Sequence, residues 1–260
     1  MNTIRAKKNL GQHFLTDKDI ATGIVNSLLL DKEEDVLEIG PGMGILTRLL
    51  LQKENCQLKV VEIDRESVEW LNTNIPQLDG KIINKDFLKL DVSQYFQKPF
   101  FVIGNLPYNI SSQIFFRILT YKDMVPQIVC MLQKEVAERL CAGPGSKTYG
   151  ILSVILQAWY KLEYLFTVHE HVFSPPPKVK SAVIRFTRNE RTTLDCDETL
   201  FIKVIKMSFN QRRKTLRNSL KQMLTDEKLK NEKIFSLRPE QLSVAEFEQL
   251  TNMIAKQSGC

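Results

Sequence analysis

The chain has 260 residues, 43% of them hydrophobic and 25% charged, with a formal net charge of +6. That is the profile of an ordinary globular protein with room for one large domain and a small one. No apolar run nears the roughly 20 residues a membrane helix needs, and the basic start, MNTIRAKKNLGQHFL, lacks the apolar core of a secretory signal. Cys56, Cys130, Cys141, Cys196 and Cys260 are scattered and form no CxxC pair. A structural zinc, a disulfide framework and any metal site are therefore not expected, and a reducing cytoplasm is.

In chain order, residues 17–30 repeat apolar side chains at helical spacing, with Thr16 placed to cap the helix. DVLEIG (35–40) reads as a strand ending in glycines, and GILTRLLLQ restores a helical pattern. LKVVEID (58–64) is a second strand and ESVEWLNTNI a second helix. GKIINKDFLKLD, PFFVIGN (99–105) and QIVCMLQ (127–133) supply three more strands. Strands alternating with helices predict a parallel sheet covered on both faces. From Tyr149 onward the pattern changes. YGILSVILQAWY reads as a helix, and KLEYLFTVH and SAVIRFTR as paired strands separated by FSPPPKVK. After Arg188 only helices are expected: one over LFIKVIKMSFNQRRKTLRNSLKQML, and one over SVAEFEQLTNMIAKQ with a Ser243/Glu246 capping box. The polar run RNERTTLDCDE marks a boundary, giving domains at 1–190 and 191–260.

LEIGPGMGILT (37–47) has the order strand, glycine loop, helix. Gly40, Gly42 and Gly44 let the backbone approach a ligand that side chains would block. The spacing departs from the G-x-G-x-x-G of dinucleotide-binding proteins, and Pro41 removes one N–H from any pyrophosphate cradle. Glu62 ends the second strand about where a ribose-binding acid belongs. Asp86 follows the third strand and could accept from an exocyclic adenine amine. Either acid alone would more readily be a helix cap or a solvated residue. Together, at the carboxyl ends of successive strands, they point to an adenosine-containing cofactor without phosphates: S-adenosylmethionine.

Asn105-Leu106-Pro107-Tyr108 leaves the fourth strand at the same sheet edge. An amino group on an aromatic base is a poor nucleophile because its lone pair is delocalised into the ring. The Asn105 side-chain oxygen and the Leu106 carbonyl, both acceptors, would favour a pyramidal nitrogen. Pro107 stiffens the backbone, and Tyr108 offers a face for the base, worth about 1–3 kcal/mol per stacked base. Catalysis is then mainly positioning.

With these motifs the chain resembles the ribosomal RNA adenine N6-dimethyltransferases of the RsmA/KsgA family, over nearly its whole length. NLGQHFL (9–15), EIGPGMGILT, VEID, NLPYNISS, FSPPPKVKSAV (173–183) and FNQRRKTLRNSL (209–220) carry the resemblance, in the family's order and spacing. It implies a class I S-adenosylmethionine-dependent, Rossmann-like α/β sheet with helices on both faces and a small all-α C-terminal domain. The implied activity is transfer of two methyls to each of two adjacent adenines near the 3′ end of 16S rRNA, by a monomer acting on an immature small subunit. His13 and Leu15 are implied as cofactor contacts with Gly40, Gly42, Glu62, Ile63, Asp86, Phe87 and Asn105. Many relatives have Asn at the His13 position, so the backbone there is expected to matter more than the ring. Phe173 is implied as a second ring clamping the target adenine opposite Tyr108; its alternative is core packing. His169 and His171 are read as surface residues.

Arg212, Arg213, Lys214 and Arg217 form a basic cluster suited to RNA phosphates, and RAKK near the start is a second. The competing enzyme readings are an Erm-type enzyme of large-subunit rRNA and a DNA adenine methyltransferase. A ribosome-assembly or transcription factor that binds without turnover is the non-enzyme alternative.

Overall fold

Runs of Val, Ile and Leu without polar alternation form strands buried on both faces. β5 (Phe100–Asn105) and β6 (Gln127–Gln133) are of this kind, and β2 (Glu34–Ile39) and β3 (Cys56–Val61) end in a buried stretch after a more polar start. Val36, Val60, Ile103 and Val129 are fully buried within them. They lie in a seven-stranded sheet of order β4-β3-β2-β5-β6-β9-β7, completed by β4 (Ile82–Ile83), β7 (Tyr160–Val168) and β9 (Ser181–Arg188). The pairs from β4 through β6 are parallel, and β9 runs antiparallel to β6. A separate antiparallel pair joins β1 (Phe14–Leu15) to β8 (Phe173–Ser174).

These features come from a computed structural model that describes residues 6–7 and 10–257. Arg5 and Lys8 of the RAKK cluster, Asn9 and Cys260 lie outside the described residues. The chain divides into two units: residues 1–137 with 161–188, and residues 138–160 with 189–260.

In the first unit, α1 (Lys18–Asn26), α2 (Ile45–Leu50), α3 (Arg65–Asn74) and α4 (Ser111–Leu119) connect the strands. Ile24, Leu46, Leu50 and Leu71 join the strand residues in one apolar core. The cap of α1 is Asp17, whose carboxylate accepts from the Asp19 and Ile20 N–H groups. Thr16, expected in that role, donates its hydroxyl to the Val172 carbonyl instead. α4 was not foreseen in the sequence, and neither was α5 (Lys134–Cys141).

The second unit contains α6 (Ile151–Gln157), α7 (Glu198–Asn210), α8 (Leu216–Ser219) and α9 (Val244–Gln257). Its core holds Val154, Phe201, Ile205, Leu216, Phe235, Phe247 and Leu250, all buried. The Ser243/Glu246 capping box forms as expected: the Glu246 carboxylate accepts from the Ser243 N–H at 2.8 Å, and Ser243 Oγ accepts from the Glu246 N–H at 3.3 Å. Two expectations need correction. Residues 138–160, expected in the first domain, belong to the second unit because the apolar α6 packs on α7 and α9. The single long basic helix is broken: α7 stops at Asn210, the Lys214 N–H turns back to the Gln211 carbonyl, and Thr215 is extended before α8.

Candidate active site

β2, β3, β4 and β5 run in one direction, so their carboxyl ends share an edge. The chain goes from β2 to β3 and β4 on one side, then returns to β5 on the other. Open α/β sheets bind ligands at such a reversal.

A cavity of about 290 Å³ lies there, and His13, Leu15, Gly40, Gly42, Glu62, Ile63, Asp86, Phe87 and Asn105 all line it, as do Leu106, Pro107 and Tyr108. Every residue expected at the cofactor site is therefore brought to one place. Gly40 has a φ of +69°, and a Cβ built on it would meet nothing closer than the Asn105 carbonyl oxygen at 4.0 Å. The backbone is bare on the side where a ligand can lie against it. At Gly104 the constraint is the reverse, since a Cβ would stand 2.5 Å from the Ile39 carbonyl oxygen. That glycine lets β5 pass close to the start of the loop.

The acids divide by environment. Glu62 is buried and accepts from the Asp64 N–H at 2.9 Å. Burial pushes its carboxyl above the ordinary range, against the opposing pull of the Asp64 and Gly42 N–H groups. Asp86 accepts from the Leu88 N–H at 2.9 Å through one oxygen. Between them Ile63 is 51% exposed, an unusual position for a large apolar side chain. Two acids, an exposed apolar face and bare glycine backbone suit an adenosine with free hydroxyls better than a phosphate. Among the described residues no group of His, Cys, Asp and Glu could hold a metal ion.

The Asn105 Nδ2 donates to the His13 carbonyl at 2.9 Å. A carbonyl can only accept, so the amide nitrogen is fixed there and Oδ1 is left as an acceptor on the other side. The Leu106 N–H bonds the Met131 carbonyl at 3.0 Å, which orients the next peptide. The Tyr108 hydroxyl meets Ser181 Oγ at 2.5 Å. Burial raises the phenol's pKa, opposed in part by Ser181, so Tyr108 is a neutral ring and no base. The His13 ring stacks on it with centroids 5.5 Å apart and planes at 25°. Nδ1 of His13 contacts the Pro175 carbonyl at 2.8 Å, so ring and backbone of this residue both make contacts.

Phe173 requires a correction. It does not line the cavity: its side chain is 4% exposed and belongs to the core of the first unit. In the β1–β8 pair it faces Leu15. Alternation along the strand turns Phe173 inward with Leu15.

Several residues escaped the sequence reading. Glu38 lies on β2, beneath the loop, 1% exposed, and accepts from Thr47 Oγ1 at 2.6 Å. Burial pushes its carboxyl up to about 8, with the nearby Glu62 adding and Thr47 opposing. An acid set among Val36, Leu37 and Ile39 in the buried half of the strand was the available signal. Lys7 bridges Asp64 at 2.6 Å and Glu66 at 3.0 Å, tying the N-terminal segment to the chain just past Glu62. Ser181 carried no local signal, because its partner is 73 residues away.

In the second unit, Arg213, Lys214 and Arg217 are exposed. Arg212 is half-buried, donating to the Ser146 carbonyl at 3.3 Å and lying 4.0 Å from the Glu240 carboxylate. Three of the four expected phosphate contacts are thus open to solvent, and the fourth is tethered. His169 and His171 are exposed, with rings 5.9 Å apart. No helix among the described residues is long and apolar enough to cross a membrane.

Comparison with known proteins agrees with this geometry. The family described as "Ribosomal RNA adenine dimethylase" matches residues 3–256. The "Ribosomal RNA small subunit methyltransferase A" of Parabacteroides distasonis is 62% identical over 96% of this chain and 94% of its own length. The protein of the same name from Phocaeicola vulgatus is 59% identical over 98% and 91%. Among solved structures, a dimethyladenosine transferase from Plasmodium falciparum superposes with a TM-score of 0.80 at 22% identity, covering 95% of this chain and 98% of that one. The 23S rRNA methyltransferase ErmE gives 0.67 at 24% identity, covering 93% and 99%. The fold is that of the class I methyltransferases with an all-α C-terminal part, and the chain belongs to the ribosomal RNA adenine dimethylase family.

Proposed function

We propose that this protein uses S-adenosylmethionine to dimethylate N6 of two adjacent adenines near the 3′ end of 16S rRNA, within an immature small subunit in the cytoplasm. The observation that carries the proposal is the Asn105 amide, pinned through its nitrogen on the lining of the cavity where Gly40, Glu62 and Asp86 converge.

The cofactor, when bound, supplies an electrophilic methyl group on a sulfonium. Gly40 would offer bare backbone to it, while Gly42 makes room for the Phe14 ring and gives its N–H to Glu62. Glu62 would accept from the ribose hydroxyls, and the second oxygen of Asp86 from the adenine amine. Ile63 and Phe87 supply apolar faces, and the segment around His13 and Leu15 covers the site from solvent. The target adenine lies against Tyr108. Asn105 Oδ1 and the Leu106 carbonyl accept from its N6 hydrogens and hold the nitrogen pyramidal, so its lone pair points away from the ring. Pinning both acceptors before the substrate arrives removes reorganisation from the barrier. No residue has to take a proton first, which fits a site whose Tyr108 phenol stays neutral. An adenine within a duplex leaves its stack at a cost of a few kcal/mol. Arg213, Lys214 and Arg217 set the register of the RNA through its phosphates.

The test is methyl transfer from radiolabelled S-adenosylmethionine to immature small subunits, large subunits and DNA, followed by nucleoside analysis. Dimethyladenosine confined to small-subunit RNA is expected. Label found only in DNA or only in large subunits overturns the proposal.

A further inference from the structure

A second cavity, of about 1240 Å³ against 290 Å³ for the first, adjoins it and shares His13, Phe14, Leu15, Met43 and Tyr108 with it. The segment from Pro175 to Val179 lines it too, as does Gln133. One base stacked on Tyr108 leaves much of this volume open.

Three observations bear on what fills the rest. Gln133 is paired across the sheet with Ser181, the residue whose hydroxyl holds Tyr108. Paired residues in an antiparallel ladder project on the same face, so the Gln133 side chain stands beside the group that anchors the stacking ring. Its amide makes no hydrogen bond among the described residues, leaving two donors and an acceptor on a residue that lines the cavity. Val179, which also lines it, is 46% exposed, an apolar surface next to the exposed Lys178. An unpaired carboxamide, an apolar face and an adjacent cation are the parts needed for a base edge, a base plane and a phosphate.

We propose that Gln133 and the Pro175–Val179 wall form a second nucleotide subsite, which holds the purine next to the adenine undergoing methylation. This rests on the function proposed above, in which two neighbouring adenines are substrates. Gln133 pairs with the N6 and N7 edge of the neighbour, as glutamine does with adenine elsewhere, Val179 covers its plane, and Lys178 meets its phosphate. While the first adenine reacts, its unmethylated neighbour is held.

The experiment uses reconstituted small-subunit particles whose neighbouring adenine is replaced by purine, which lacks the N6 amine. With the wild-type protein, kcat/KM for the remaining adenine falls by about ten- to a hundredfold, the scale of one bidentate base contact. Gln133→Leu shows the same loss on unaltered RNA and no further loss on the purine particle, while S-adenosylhomocysteine affinity is unchanged. Val179→Ser, at an exposed position that leaves the sheet intact, raises KM on both RNAs. Wild-type indifference to the replacement, or losses from Gln133→Leu and from purine that multiply, overturns the subsite. So does an unchanged KM in Val179→Ser. Failure of the wild-type protein to methylate unaltered particles strikes the proposed function itself and is read separately.

Discussion

The side-chain amide of Asn105 is tied to the backbone of His13, 92 residues earlier, by one 2.9 Å hydrogen bond. The orientation of that amide is thus set by a backbone group of a segment that lines the same cavity. Asn105→Asp replaces the donor with a carboxylate oxygen that repels the His13 carbonyl. Turnover is expected to fall by about a hundredfold or more, the scale for one preorganised hydrogen-bond partner, while RNA binding is retained. Single-turnover methylation alongside filter binding checks this, and unchanged turnover would show that the amide has no part in the reaction.

Gly104→Ala tests the close passage of β5. The new Cβ would stand 2.5 Å from the Ile39 carbonyl oxygen, a backbone atom that cannot swing aside. A destabilisation of about 1–3 kcal/mol is expected, as for overpacking elsewhere in cores. Thermal unfolding measures it, and a Tm equal to that of the wild type contradicts the steric account.

Glu38 gives stability a pH dependence with a definite sign. The folded protein holds this carboxyl up to about 8 against an ordinary 4.5. Between those values the folded chain keeps a proton that the unfolded chain has released. The contribution is therefore full below about 4.5, declines as pH rises, and is lost above about 8. Glu38→Gln, which keeps a partner for Thr47, should remove a decline on the order of a few kcal/mol. The difference between the Tm profiles of the two proteins from pH 5 to 8.5 reads this directly, and parallel profiles would exclude it.

Much of this site is legible in the sequence because its parts are local. Gly40, Glu62, Asp86 and Asn105 each follow an apolar run, and a parallel sheet brings such ends together without further information. What could not be read depends on distant pairing. Phe173 looks like a free aromatic beside a proline run, and only the β1–β8 register turns it against Leu15. Ser181 is an ordinary strand residue until Tyr108 is folded onto it. The basic cluster keeps helical spacing through 209–223, yet the turn at 211–215 interrupts it. Periodicity alone does not register that interruption.

That turn bears on the last prediction. Exposed Arg213, Lys214 and Arg217 are free to meet phosphates, whereas Arg212 is held by Ser146 and near Glu240. Replacing the three exposed residues with Ala should weaken RNA binding and flatten the plot of log K against log salt, by about 0.7–0.9 for each phosphate no longer neutralised. Arg212→Ala should affect stability more than salt dependence. Titrations at several ionic strengths decide the matter, and an unaltered slope in the triple variant removes this turn from the interface.

The β1–β8 pair has a consequence for synthesis. Phe14 and Leu15 leave the ribosome early, and their partners Ser174 and Phe173 are added only after more than half the protein has been made. A nascent chain carries the glycine loop, the acids and the Asn-Leu-Pro-Tyr stretch well before β1 can meet its partner strand. Closure of the β1–β8 pair is consequently a late event of synthesis, and chains stalled before residue 173 would be released without it.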